Sequence, residues 1–306
     1  MTDTSINHVE LIANLSEADR KFLIEKSDRH GLFRLACHFL AVLLTGSWIA
    51  FGLPGWQLVM LVHGILLIFV FPILHETVHG SAFATYSLNV WASRICGFLI
   101  LLPAQWFRYF HFAHHRHTNH PEKDPELASP RPARFWGYVW HVTGIPVWYS
   151  QARALLINAL GNGNDNFVPP KGVEKVRREA RITLGLYVLL IAGSVMLNSA
   201  VLLYIWIIPV MLGQPFLRLA LLAEHLYCPL VSNMLHNSRT TFTSKLVRWL
   251  TWNMSFHAEH HAYPAVPFYR LPEFHRFTKD HVLVKESGGY SGFHKDTVLK
   301  MLSGRV

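Results

Sequence analysis

The chain is short of charge. Lys, Arg, Asp and Glu make up 15% of its 306 residues, where a soluble domain of this size carries about a quarter. Hydrophobic residues reach 51% and the mean hydropathy is +0.22. A chain so poor in charge cannot clothe itself in polar surface, so one polytopic membrane domain is expected and two soluble domains are not. Cysteine is scarce as well. Cys37, Cys96 and Cys228 lie far apart and form no CxxC pair. That argues against a disulfide framework or a thiolate metal site and leaves reduced, buried thiols. There is no internal repeat and no low-complexity tract. Segment 1–30 is polar and mixed in charge, with no apolar core behind a basic start, so no cleavable signal is expected.

Long apolar runs are what the chain does have. A spanning helix needs about 20 mostly apolar residues. Residues 32–52 and 55–74 meet that length, and the run 183–222 is long enough for two spans with a turn near Asn198 and Ser199. Residues 88–105 are a shorter stretch interrupted by Arg94. The turns near 52–56 and 198–200 carry no Lys or Arg. The N-terminal segment, residues 106–182 and the region after 222 hold 25 of the 28 basic residues, in groups of 4, 11 and 10. The positive-inside tendency turns these three segments to the cytoplasm. Four spans in two hairpins then follow, with 88–105 dipping into or lying along the membrane. Part of the basic surface reads as facing lipid head groups. Residues 161–170 (GNGNDNFVPP) read as a loop. The expected fold is all-α and integral to the membrane, with interfacial helices and a cytoplasmic histidine-rich cap. Residues 1–30 form a cytoplasmic segment, 31–280 the membrane domain, and 281–306 a cytoplasmic tail; a nucleic-acid partner is not expected.

Histidine is in excess, at 20 residues in a chain of formal charge +9. Three clusters stand out: His75 and His79 in an HExxH at the end of the second span, then His111, His114 and His115 in one HxxHH, then His257, His260 and His261 in another. On a helix, positions i, i+3 and i+4 share a face, so each cluster presents two or three imidazoles together. A lone histidine is more often a hydrogen-bonded core residue than a ligand, but chance does not place three such faces on one side of a membrane. That side was set by Lys and Arg alone. His225, after Glu224 at the end of the fourth span, lies at the depth of His79 and joins the set. Nine imidazoles exceed the four ligands of a structural zinc or the three of a catalytic one, and point to two redox metals.

These residues resemble the membrane fatty acid desaturase and hydroxylase superfamily, which has three histidine boxes in this order. The likeness covers roughly residues 30–280. HExxH at 75–79, HxxHH followed by DPE at 111–126 and HxxHHxxP at 257–264 sit at familiar separations. Box 2, FRYFHFAHHRHTNHPEKDPE, looks most like bacterial fatty acid desaturase-like proteins. In two respects the chain departs from acyl-CoA desaturases: three residues, not four, separate His75 from His79, and Glu224-His225 is the pair found in alkane monooxygenases. The resemblance implies two iron ions held by His75, His79, His111, His114, His115, His257, His260 and His261, and by position His225. It implies O2 as co-substrate and a lipid chain as substrate, in a bacterial inner membrane with both termini cytoplasmic.

Removal of two vicinal hydrogens gives an alkene and insertion of OH an alcohol. Desaturation is therefore the leading expectation, with hydroxylation, ketone formation or oxidative decarboxylation as branches of the same chemistry. No cysteine set or fused redox domain supplies the two electrons of each turnover. An external donor is implied, of ferredoxin, rubredoxin or cytochrome b5 type, steered by the basic cap. Carboxylates usually orient ligating histidines. The candidates are Glu76, Asp124, Glu224 and Glu259, with Asn253 before box 3, set against solvent-facing or turn roles for the same residues. His117 and His120 read as near-misses. His8, His30, His38, His63, His141, His236, His275, His281 and His294 read as ordinary. An intramembrane HExxH zinc protease with Glu76 as base is the rival from another class, and it leaves both HxxHH clusters unexplained. A histidine-lined metal transporter fits less well, because the clusters sit at helix ends and not along a path through the membrane.

Overall fold

The structure, a computed structural model, describes residues 6–304. The first five residues of the N-terminal segment and the last two of the tail lie outside it. Two short helices, α1 (His8–Asn14) and α2 (Glu17–Ile24), lead into α3 (Asp28–Ala50). A turn with Gly52 and Gly55 at positive φ reverses the chain into α4 (Trp56–Ile68) and α5 (Phe71–His79). Then come α6 (Tyr86–Leu99), α7 (Ala104–His117), α8 (Phe135–Val142), α9 (Ile145–Ala159) and α10 (Pro170–Met196). After the turn at Asn198, α11 (Ile208–His225) returns, and α12 (Met234–Asn237), α13 (Lys245–Leu250), α14 (His257–Ala262), α15 (Leu271–Thr278) and α16 (Gly289–Leu302) complete the cap. The one departure from an all-α plan among the described residues is small. Strands β1 (Arg239–Thr241) and β2 (Val284–Glu286) pair in parallel, Arg239 opposite Val284. Residues of the expected tail thus form β2 and α16, with Phe293, Thr297 and Met301 buried.

Four helical stretches among the described residues are long and apolar enough to cross a membrane: Glu17–Ala50, Trp56–His79, Pro170–Met196 and Leu203–His225. Of the most apolar stretch of each, 11% is buried in the first and third, against 61% in the second and 39% in the fourth. The second and fourth are therefore the inner pair, and they carry His75, His79 and His225. Both hairpin turns lie at the end of the bundle away from these histidines.

Helices α6 and α7 meet at a bend of 100°. The Thr85 backbone N–H, just before α6, donates to Asp28 at the start of α3 (2.9 Å). At the far end of α7, His111 comes within 2.8 Å of His79. The pair thus begins and ends at the histidine side of the bundle. Glu179 of α10 accepts the Gln105 N–H at the mouth of α7 (2.6 Å), where a carboxylate suits both an orphan donor and the helix dipole.

Lipid offers no hydrogen bonds, so breaks inside the spans must be mended by the protein. Pro209 has no N–H, which leaves the Ile205 carbonyl without its helical partner. His63 Nε2 donates to it at 2.8 Å, and the Thr45 hydroxyl stands 2.7 Å from His63 Nδ1. The break between α4 and α5 sends the Val70 N–H to Leu67, and His38 Nε2 serves the freed Leu66 carbonyl at 2.8 Å.

The inner pair touches backbone to backbone. A Cβ on Gly64 would stand 2.1 Å from the Pro209 carbonyl oxygen, and one on Gly213 would stand 2.1 Å from that of Gly64. Small residues at such crossings let helices approach without a hydrophobic drive. Gly64→Leu is expected to cost about 3 kcal/mol, the upper part of the range for overpacking. Thermal unfolding in detergent measures it, with Gly185→Leu, which meets open space, as the unaffected control.

Candidate metal centre

Four elements deliver the histidines. Pro72 starts α5, whose last turn presents His75 and His79. Gly80, at φ 72°, ends the helix at once, a conformation that glycine adopts without strain. Helix α7 brings His111, His114 and His115 on one face, the last turn of α11 brings His225, and the short α14 brings His257, His260 and His261.

The rings converge in two groups. Ligating nitrogens of His75, His79, His111, His115 and His260 lie within 4.8 Å of one another, as do those of His114, His225 and His261. His257 adjoins the second group, its Nε2 3.0 Å from His225 Nε2. Further Nε2···Nε2 separations are 2.8 Å for His79 and His111, 3.0 Å for His111 and His115, and 3.2 Å each for His114 with His225 and His115 with His260.

Protons decide what these contacts mean. A neutral imidazole carries one N–H and one lone pair. His114 Nδ1 is 2.9 Å from Asp124 Oδ1, and His225 Nδ1 is 3.2 Å from the Asn237 carbonyl. Each ring therefore gives its proton outward, and their two Nε2 lone pairs face each other. The Thr118 hydroxyl, which donates to the His114 carbonyl, takes the proton of His261 Nδ1 at 3.1 Å, and His261 Nε2 is left buried without a partner. Both ring nitrogens of His75 are likewise unpartnered. Lone pairs turned on one another in a buried site repel unless a cation lies between them. Nitrogens 2.8–3.2 Å apart are close enough for two of them to share one ion about 2.1 Å from each. The residues fit bound metal. Burial holds His257, His260 and His261 well below the ordinary imidazole pKa, and the neighbouring rings push the same way. They are neutral, as ligands must be.

The surrounding carboxylates divide. Asp124 accepts from His114 and from the N–H groups of Asn119 (2.8 Å) and Glu126 (3.0 Å). Burial alone would raise its pKa, but the hydrogen bonds from the His114 ring and from the two backbone N–H groups hold it below the usual value. Glu224 Oε1 lies 3.5 Å from His257 Nδ1. Glu76 turns away and accepts the Phe268 N–H (3.0 Å). Glu259 also faces outward, bound to His275 (2.5 Å), Thr240 (2.6 Å) and Thr278 (3.0 Å). Asn253, at φ 58°, bonds the Phe268 carbonyl and Arg248. His117 and His120 lie edge to face with each other outside the cluster. Sequence reasoning missed Thr118, Asn237 and His275. Thr118 alone carries a local signal, because it stands one helical turn after His114.

A model of the fatty acid desaturase family matches residues 47–290. The sphingolipid delta(4)-desaturase DES1 of Drosophila melanogaster is 26% identical over 219 residues, covering 68% of this chain. The chain spans 61% of that relative's length.

Asp124→Asn keeps the shape of the His114 partner but removes its charge. It is expected to weaken metal binding about 10–100-fold, as loss of such partners does. Metal content after equilibrium dialysis measures it.

Proposed function

The chain belongs to the fatty acid desaturase family, and from that premise we propose that it is an O2-dependent desaturase of a fatty acyl or related lipid chain. Two iron ions would be held by the nine clustered histidines. The observation that carries the reading is the pair of adjoining groups of imidazole nitrogens, one with His75, His79, His111, His115 and His260, the other with His114, His225, His257 and His261. All-imidazole sites suit iron among other first-row metals, and the family premise selects it. Iron bound there would supply what side chains lack, the activation of O2 against an unreactive C–H bond.

The chain's own residues supply the setting. Buried Val70, Ile73, Leu74 and Val78 of the second span lead up to the centre and exclude water beside it. The outward bonds of His114, His225 and His261 hold their rings in one tautomer. Forming one C=C bond while O2 becomes two waters takes two hydrogens from the substrate, with two electrons and two protons from outside. The likeness to a sphingolipid desaturase favours desaturation over the hydroxylase, ketolase and decarboxylase branches. The electrons would come from a ferredoxin, rubredoxin or cytochrome b5-like carrier. The 11 basic residues of segment 106–182 and the 10 after residue 222 favour an acidic one. The same charges favour a cytoplasmic cap in a bacterial inner membrane, with both termini on that side.

The decisive experiment is product analysis of a host expressing the chain, together with metal analysis of the purified protein. A new double bond and two irons per chain are expected. A hydroxylated product without a new double bond refutes desaturation, and a single zinc refutes the oxidase. Turnover coupled to a reduced acidic carrier is expected to slow as salt rises; insensitivity to ionic strength would remove the electrostatic docking.

A further inference from the structure

The last carbonyls of a helix have no partner within it, and α11 ends where His225 must be placed. Every carbonyl there is accounted for. The Leu226 N–H serves Leu222, the Cys228 N–H serves His225 (3.1 Å), and the Cys228 thiol serves Glu224 (3.8 Å). Two arginines distant in sequence serve the rest. Arg239, buried on β1, donates through Nη1 to the Ala223 carbonyl and through Nη2 to that of Leu226 (2.7 Å). Arg131, from the loop after box 2, donates through Nη1 to the His225 carbonyl (3.1 Å). Cations at a helix C-terminus are favoured by its dipole.

Arg131 does more than cap. Its other arm, Nη2, donates to Asn119 Oδ1 at 2.6 Å. Asn119 sits at φ 61° just past α7. Its N–H donates to Asp124 Oδ2 (2.8 Å), while Asp124 Oδ1 holds His114. Its Nδ2 donates to the Asn237 carbonyl (2.7 Å), the same oxygen that takes the His225 Nδ1 proton. One guanidinium therefore stands between the support of His114 and the support of His225. Its two arms fix two points at once, which the single ammonium of a lysine cannot do.

We propose that Arg131 is a positioning residue that sets His225 against His114, and so governs the second group of imidazoles without touching the first. The inference rests on the reading of the cluster as a two-metal site. The first group has its own counterpart in Arg108, which caps the end of α5 through the Val78 carbonyl (3.0 Å).

Co2+ alone tests it, without iron or substrate. The detergent-solubilised full chain is titrated as wild type, Arg131→Gln and Arg131→Lys, with binding followed by d–d absorption and by dialysis. Wild type is expected to take two ions. Both variants should bind one ion as wild type does and the other about 10–100-fold more weakly, with only that ion's absorption band altered and lysine less affected than glutamine. Two ions of wild-type affinity and spectrum in both variants overturn the proposal. So does equal weakening of both ions, which is what general loosening of the fold gives. If Arg131→Gln does not fold, Arg131→Lys decides alone. A wild type that binds two Co2+ ions yet oxidises no lipid in the host refutes the desaturase reading, and the Arg131 titration still stands by itself.

Discussion

A neutral imidazole that turns a lone pair inward carries its one proton on the other nitrogen, and in a buried site an acceptor behind the ring fixes that choice. That constraint shapes the ground behind the second group of rings. Asp124 takes the proton of His114, the Asn237 carbonyl that of His225, and the Thr118 hydroxyl that of His261. Each acceptor is fixed in turn: Asp124 by two backbone N–H groups, Thr118 by its own bond to the His114 carbonyl, and Asn237 by bonds from its side-chain amide to the Thr118 and Val231 carbonyls. The cap thus sets a layer of acceptors behind His114, His225 and His261, whose ring protons point away from the centre.

The second demand comes from the backbone. Ligand helices have to end at the centre, so their unpaired carbonyls gather where no water reaches. Arginines meet this need because one side chain can serve two carbonyls, or a carbonyl and an amide, and because a cation suits that end of a helix. Arg108, Arg131 and Arg239 each come from an element other than the helix they cap. Their bonds hold α7, the loop after box 2 and β1 to the ends of α5 and α11.

Much of this was legible in the amino-acid order. Spans of about 20 apolar residues announce themselves, and the Lys and Arg pattern separates the ends that carry turns from those that carry histidines. Imidazoles at i, i+3 and i+4 share a helix face wherever they occur, so three of the faces that meet could be named in advance. His225 needed a further argument, from its depth in the span. The supports could not be read, because a backbone carbonyl such as that of Asn237 has no signature in sequence, and because Arg131 and Arg239 look like any other basic residue of the cap. Glu76 and Glu259 sit inside their boxes, yet their side chains leave the cluster for partners distant in sequence or on the far side of the helix, the Phe268 N–H for Glu76 and His275, Thr240 and Thr278 for Glu259. The parallel pairing of β1 with β2 joins segments more than 40 residues apart, and three residues per strand are too few to show a period.

His38 and His63, which serve broken helix bonds inside the spans, carry a consequence of a different kind. His63 owes its bond to Pro209, which withholds the N–H that would otherwise engage Ile205. Neither residue makes sense alone. With the proline gone, imidazole and amide would compete for one oxygen; with the histidine gone, that oxygen would face hydrocarbon unserved. The effect of a substitution at either position therefore depends on which residue stands at the other.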